Sequence, residues 1–310
     1  VAIAVVLWIP GFLSYSPIIG ENDVTIPMYQ FVVRYLPHTN WFLPLLSLLI
    51  VIAAAIILNN IFILHNLIPK NSLLPAFLFI LFMSSSPQTL TLYPVILVLL
   101  PMVFFLHLSY QVYEQFENPN KALSLGLLAG ISSMIYFPAA LMILFIWLVF
   151  LIYRSFSWRQ WAVALLGYTL PYLYMIVYYF WMDSVPGLIE NYRNNFSHIL
   201  NISAHPDNFQ LATWIIFTLL LLLPALVRII STIGSQNITF RRKMSVTIWM
   251  AVFAVMAMVF GGEIKTHNLL FIPAAGIVAY QFHSIKKSAW NDIVILAYLV
   301  LIGVHNYLDR

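Results

Sequence analysis

From Trp41 to Leu64 the chain runs without one charged side chain, and stretches of this kind recur along nearly its whole length. An α-helix rises 1.5 Å per residue, so about 20 consecutive apolar residues cross the hydrocarbon core of a bilayer. Apolar runs of that length cannot alternate with loops in water and still find a core to bury them. They read as membrane spans. Composition agrees: 62% of the 310 residues are hydrophobic and 8% are charged, against roughly 25% charged in an ordinary soluble domain.

Reading on the bilayer scale predicts an all-α, polytopic integral membrane protein with about eleven spans, in one helical domain over residues 1–310. The expected spans are 1–19, 41–64, 67–84, 89–112, 122–137, 139–153, 160–181, 209–230, 244–260, 268–283 and 291–307. The break at Phe137-Pro138 makes the fifth and sixth a tight helical hairpin. The apolar start has no basic leader and no small-residue cleavage site, and reads as a retained span.

Charge placement orients the spans. With the first loop outside, the inward loops hold Lys70, Lys121, Arg154, Arg159, Arg228, Arg241, Arg242, Lys243, Lys286 and Lys287, and the outward side holds Arg34, Arg193, Lys265 and Arg310. That is the positive-inside bias of a multi-pass protein of a bacterial inner membrane, with a periplasmic first loop. The run Arg241-Arg242-Lys243 is expected to anchor its span at the anionic cytoplasmic leaflet. Most acids fall on the outer side instead: Glu21, Asp23, Asp183, Glu190, Asp207, Glu263 and Asp309.

The polar stretch Gly20–Asn40 follows the first span. Glu21 and Asp23 open it, and Met28, Phe31, Val32, Tyr35 and Leu36 then recur at helical spacing, predicting an amphipathic helix lying in the membrane interface. A carboxylate there acts as a general base on an acceptor hydroxyl or holds a metal. The simpler alternative is that Asp23 or Thr25 caps the helix that Pro27 starts. In the outer turn Gly261–His267, Lys265 and His267 are candidate ligands of an anionic head group, beside the alternative of a solvated turn. Outer arginines are scarce, which singles out Arg193 in the loop Met182–Asn208, where Pro186-Gly187 signals a turn. His198, His205 and Asp207 have no metal-ligand spacing. Tyr168 and Tyr172 lie too deep for an interfacial aromatic belt and are expected to face helices or a groove. His107, Asn59 and Asn60 are expected to bond helix to helix. The absence of cysteine removes disulfides and thiolate chemistry. No basic patch with interleaved aromatics points to nucleic acid.

Three segments resemble the GT-C glycosyltransferases, membrane enzymes that take sugars from polyprenyl-phosphate donors. They are GENDVTIPMYQFVVRYL, the small-residue and proline-bearing spans from LIPKNSLLPAF to WLVFLIYR, and EIKTHNLLFIPAAGIVAY. More narrowly, the chain resembles a family of multi-pass proteins from the Bacteroidota. The resemblance implies that Asp23, backed by Glu21, deprotonates or orients the acceptor. It implies that Lys265, His267 and Arg193 hold the lipid-linked phosphate, and that the polyprenyl tail lies in a groove near the tyrosine-rich span. Cofactor use is left open, a divalent metal being one option. The order Glu21-Asn22-Asp23 separates two acids that the family commonly has adjacent, and SSSPQ at 84–88 lacks the acid often found in the next outer loop. These departures keep a second reading alongside, a non-catalytic subunit of an inner-membrane assembly with protein partners. A transporter is third, and the scarcity of charges inside spans argues against it.

Overall fold

The computed structural model describes residues 8, 27–37, 41–85, 92–114, 118–155, 157–200, 209–261, 268–284 and 295–300. Every regular element among them is helical. In chain order these are α1 (Pro27–Arg34), α2 (Phe42–Leu64), α3 (Leu74–Met83), α4 (Pro94–Glu114), α5 (Pro119–Ile135), α6 (Met142–Ile152), α7 (Trp158–Trp181), α8 (Val185–Leu200), α9 (Phe209–Thr232), α10 (Ile238–Gly261) and α11 (Phe271–Ser284). Short 3₁₀ turns at Phe137–Leu141 and Ile233–Ser235 lead into α6 and out of α9. Proline begins α1, α4 and α5, where its missing N–H is not needed and its fixed φ suits the first turn. At α5 the Asn118 side chain also accepts a hydrogen bond from the Asn120 N–H at 3.0 Å.

Among the described residues, five segments are long and apolar enough to cross a membrane: Phe42–Leu64, Pro94–Glu114, Trp158–Trp181, Thr218–Ser235 and Ile238–Val259. Leu74–Met83 and Phe137–Ile152 are apolar but shorter. The chain is thus an all-helical membrane protein. Helices occupy, in whole or part, each expected span from 41–64 to 268–283. The expected spans 1–19 and 291–307 lie largely outside the described residues.

The helices alternate in direction, so the bundle has two distinct ends. At one, α2, α4, α6, α9 and α11 finish and α3, α5, α7 and α10 begin. This end carries Lys70, Lys121, Arg154, Arg159, Arg228, Arg241, Arg242 and Lys243, and is called the basic end below. Arg34 and Arg193 lie towards the other.

The tightest contact in the bundle joins α5 and α7. A Cβ on Gly126 would overlap the Ala164 carbonyl oxygen, one on Gly130 would overlap the Tyr168 carbonyl, and one on Gly167 would overlap the Leu123 carbonyl. Glycines on both helices therefore let the two backbones touch, the small-residue packing that replaces hydrophobic collapse inside lipid. On the other side of the bundle, Gly276 of α11 makes room for the ring of Phe62.

One local expectation changes. The segment from 182 was expected as a loop, yet Val185–Leu200 is a helix. Pro186 and Gly187 fall in its first turn, where proline is tolerated, and the turn itself is made just before them by Asp183 at φ 50°. Val185, Leu188 and Tyr192 recur at helical spacing, and buried Leu188 packs with Met134 and Met175. Helix α1 covers part of the expected amphipathic segment. Tyr29 and Val33 are buried against Leu97, whereas Phe31 and Tyr35 are exposed. The Tyr29 hydroxyl fixes the buried side, donating at 2.5 Å to the Leu92 carbonyl, just before α4.

Candidate functional site

Two features stand out, one towards each end of the bundle. The first is an apolar groove of about 550 Å³ between α1, α5 and α7. Met28 and Phe31 of α1 form one wall, Leu127, Ile131 and Met134 of α5 a second. Leu170, Pro171, Tyr174, Met175, Tyr178 and Tyr179 of α7 complete it. The glycine crossing creates its geometry: α5 and α7 touch at Gly126 and Gly130, and larger side chains flank the contact. Pro171 sits at this crossing, its ring carbon 3.1 Å from where a Gly130 Cβ would lie, and it removes one hydrogen bond from the helix. Taking the roughly 30 Å³ of a water molecule as the size of one carbon group, the groove has room for on the order of 18 carbons.

Polar groups border the groove without entering its floor. The Tyr172 hydroxyl donates to Ser133 Oγ at 2.7 Å, tying α7 to α5. This bears out the expectation that the deep tyrosines face helices. The Tyr192 ring of α8 stands 6.4 Å from that of Tyr172 and 6.1 Å from that of Phe137. Burial raises the ionisation point of the Tyr192 phenol above its ordinary value, so it stays neutral.

Of the expected site residues, the structure describes Arg193. It is exposed on α8, next to Tyr192. Glu21, Asp23, Lys265 and His267 lie outside the described residues. Among the described residues, no group of three or more His, Asp or Glu side chains is placed to hold a metal.

The second feature lies at the basic end. His107, Tyr110, Gln111 and Glu114 recur at i, i+3, i+4 and i+7 along one face of α4. Lys121 Nζ donates to Gln111 Oε1 at 2.6 Å. Gln111 Nε2 lies 2.8 Å from His107 Nε2, and His107 Nδ1 lies 3.1 Å from His65 Nε2. His65 Nδ1 lies 3.1 Å from Glu114 Oε1, which also accepts from Lys243 Nζ at 2.6 Å.

Tautomers follow from the fixed donors. An ammonium only donates, so Gln111 turns its carbonyl to Lys121 and its N–H₂ to His107. His107 Nε2 then accepts, and its Nδ1–H donates to His65 Nε2. His65 Nδ1–H in turn donates to the Glu114 carboxylate. Both histidines are neutral in this scheme. Lys243 Nζ is 3.0 Å from His65 Nδ1, and both donors point at the same Glu114 oxygen. Burial, reinforced by the Lys243 charge and opposed by Glu114, lowers the His65 pKa from 6.5 to about 4.

Lys243 therefore departs from the anchoring role expected of the Arg241-Arg242-Lys243 run. It is buried and ion-paired, because the second turn of α10 places it against α2 and α4. Arg242 lies over the Tyr113 ring at 5.2 Å, and Arg241 is exposed. His107 does bond between helices, as expected. Asn59 is buried with no partner for its side-chain oxygen among the described residues. The sequence signal for the relay was the polar stripe HLSYQVYE ending an otherwise apolar helix.

Neither family models, curated proteins nor solved structures give a match to this chain.

Proposed function

We propose that the chain is a GT-C-like membrane glycosyltransferase, using a polyprenyl-phosphate-linked sugar at the outer face of a bacterial inner membrane. In this reading the chain has about eleven spans and the first loop is periplasmic. The observation that supports it is the apolar groove beneath α1, walled by the tyrosine-rich α7 and sized for a single hydrocarbon chain. A one-chain groove beside a short amphipathic helix suits a lipid-linked donor, whose tail must leave the bilayer far enough to bring its phosphate to water-accessible groups. Arg193, next to Tyr192 on α8, would meet the phosphate together with Lys265 and His267. Asp23, with Glu21 behind it, would take the proton of the acceptor hydroxyl as the sugar transfers. The test is Asp23→Asn, assayed for sugar transfer from a polyprenyl-phosphate donor by the purified protein in nanodiscs. Loss of transfer with donor binding retained is expected. Undiminished transfer removes the role of Asp23.

A second reading is a non-catalytic subunit of an inner-membrane assembly. It is favoured by Ser84 and Ser85, where the family often has an acid nearby. Ser84 Oγ accepts from Trp8 Nε1 at 3.0 Å, and the Ser85 hydroxyl donates to the Phe82 carbonyl at 2.6 Å. Both serines are thus committed to packing. Purification with stoichiometric partner proteins and no bound polyprenyl lipid supports this reading over the first.

A further inference from the structure

The relay at the basic end plays no part in the proposed transfer. It joins four helices through side chains far apart in sequence: His65 at the end of α2, His107, Gln111 and Glu114 on α4, Lys121 on α5 and Lys243 on α10. We infer that it is a proton-operated latch, which ties α10 to α2 and α4 while its histidines are neutral and releases α10 when His65 gains a proton.

The geometry carries this through direction. Every bond from Lys121 to Glu114 runs donor to acceptor in one sense, and His65 uses one nitrogen to accept and the other to donate. A proton added at Nε2 turns the acceptor into a second donor facing His107 Nδ1–H across 3.1 Å. His107 cannot answer by switching tautomer, because its Nε2 is held as the acceptor of the Gln111 amide, itself fixed by Lys121. The new charge also stands 3.0 Å from the Lys243 ammonium. Lys243 is then repelled while buried, and it swings out with the N-terminal end of α10.

The groups around His65 fix the sign. From α4 come His107, Glu114 and Tyr110, whose ring meets the imidazole edge-on at 4.9 Å. The Tyr110 hydroxyl is engaged with Thr247 Oγ1 at 2.6 Å. From α10 come Lys243 and, one residue earlier, Arg242 on Tyr113. Lys121 of α5 acts through Gln111. At the same end α11 brings Tyr280, 3.4 Å from Thr232, and the exposed His283. Glu114 is the one group of this set that favours the cation, and its carboxylate is already shared with Lys243. The neutral imidazole is held throughout the neutral pH range, in line with a pKa lowered to about 4.

The test uses the full chain in nanodiscs. It has no cysteine of its own, so spin labels placed at Lys70→Cys and Arg241→Cys, both exposed positions, report one distance across the latch. A single short distance is expected at pH 7.5. As pH falls from 6.5 towards 4, a longer population should gain on the short one by about 10-fold per unit. His65→Gln offers one donor and one acceptor but takes no proton, so it should keep the short distance and lose the step. Glu114→Gln removes the ion pair that holds Lys243, so it should show the longer population already at pH 7.5; a short distance kept there at every pH also overturns the latch. A step of equal size in His65→Gln, or none in the unsubstituted chain, overturns the latch. If His65→Gln does not fold, His65→Asn decides: a step of unchanged size there overturns the proposal.

Discussion

Removing the Glu114 carboxylate should cost more stability than removing the lysine it pairs with. The two partners differ in burial, with the Glu114 side chain 46% exposed and that of Lys243 4% exposed. In Glu114→Gln the ammonium loses its counter-charge while still enclosed. Breaking a buried pair in this way costs about 3–5 kcal/mol, and the half-exposed mouth of the site admits water, which puts the expected loss near the lower end, about 3 kcal/mol. In Lys243→Met the surviving carboxylate is free to hydrate, and the cost should fall towards that of an exposed pair, about 1 kcal/mol. The double variant should resemble Lys243→Met, because no buried charge remains. Thermal unfolding in detergent at pH 7.5, run as a double-mutant cycle, measures all three. Equal losses for the two single variants, or additive losses in the double, would refute the reasoning that the buried ammonium dominates.

The glycine crossing makes a second prediction: Gly126→Val or Gly130→Val should destabilise by about 1–3 kcal/mol or block folding, because the added Cβ meets carbonyl backbone. Gly187→Ala, with open space around it, should be neutral in the same melt. Acid should weaken the protein through His65. Its folded pKa, about 4, lies below the ordinary 6.5, so the unfolded chain takes the proton first. The contribution is therefore complete above pH 6.5, falls as pH drops, and levels off below about 4, a loss on the order of 3 kcal/mol that His65→Gln should abolish in a pH series of melts. Tyr172→Phe should cost under about 1 kcal/mol, since Ser133 keeps its bond to the Gly130 carbonyl.

The spans were legible because one rule governs them: an uncharged apolar run near 20 residues has no other stable setting. The runs 41–64 and 160–181 coincide with α2 and α7 to within a few residues. Helix α8 was hidden because its composition is polar and Pro186-Gly187 resembles a turn, while its inward face shows Leu188 and Tyr192. The groove was expected near the tyrosine-rich span, but its walls are supplied by a crossing of glycines with the backbone of another helix, which no local pattern displays. The relay was least legible. Lys243 and Glu114 are 129 positions apart, and Lys243 and His65 are 178 apart. Each residue alone reads as an ordinary end-of-span polar group. Only the helix directions bring them together, and they convert a lysine expected at the lipid surface into a buried ion-pair partner.

If the groove between α1, α5 and α7 holds one lipid-linked chain, native mass spectrometry of the protein released from nanodiscs containing polyprenyl-phosphate should detect it. One bound polyprenyl-phosphate per chain is expected, lost when Ile131→Trp and Leu170→Trp fill the groove in a protein whose melt is unchanged. No bound polyprenyl-phosphate in the unsubstituted chain, or equal binding in the filled variant, would contradict it.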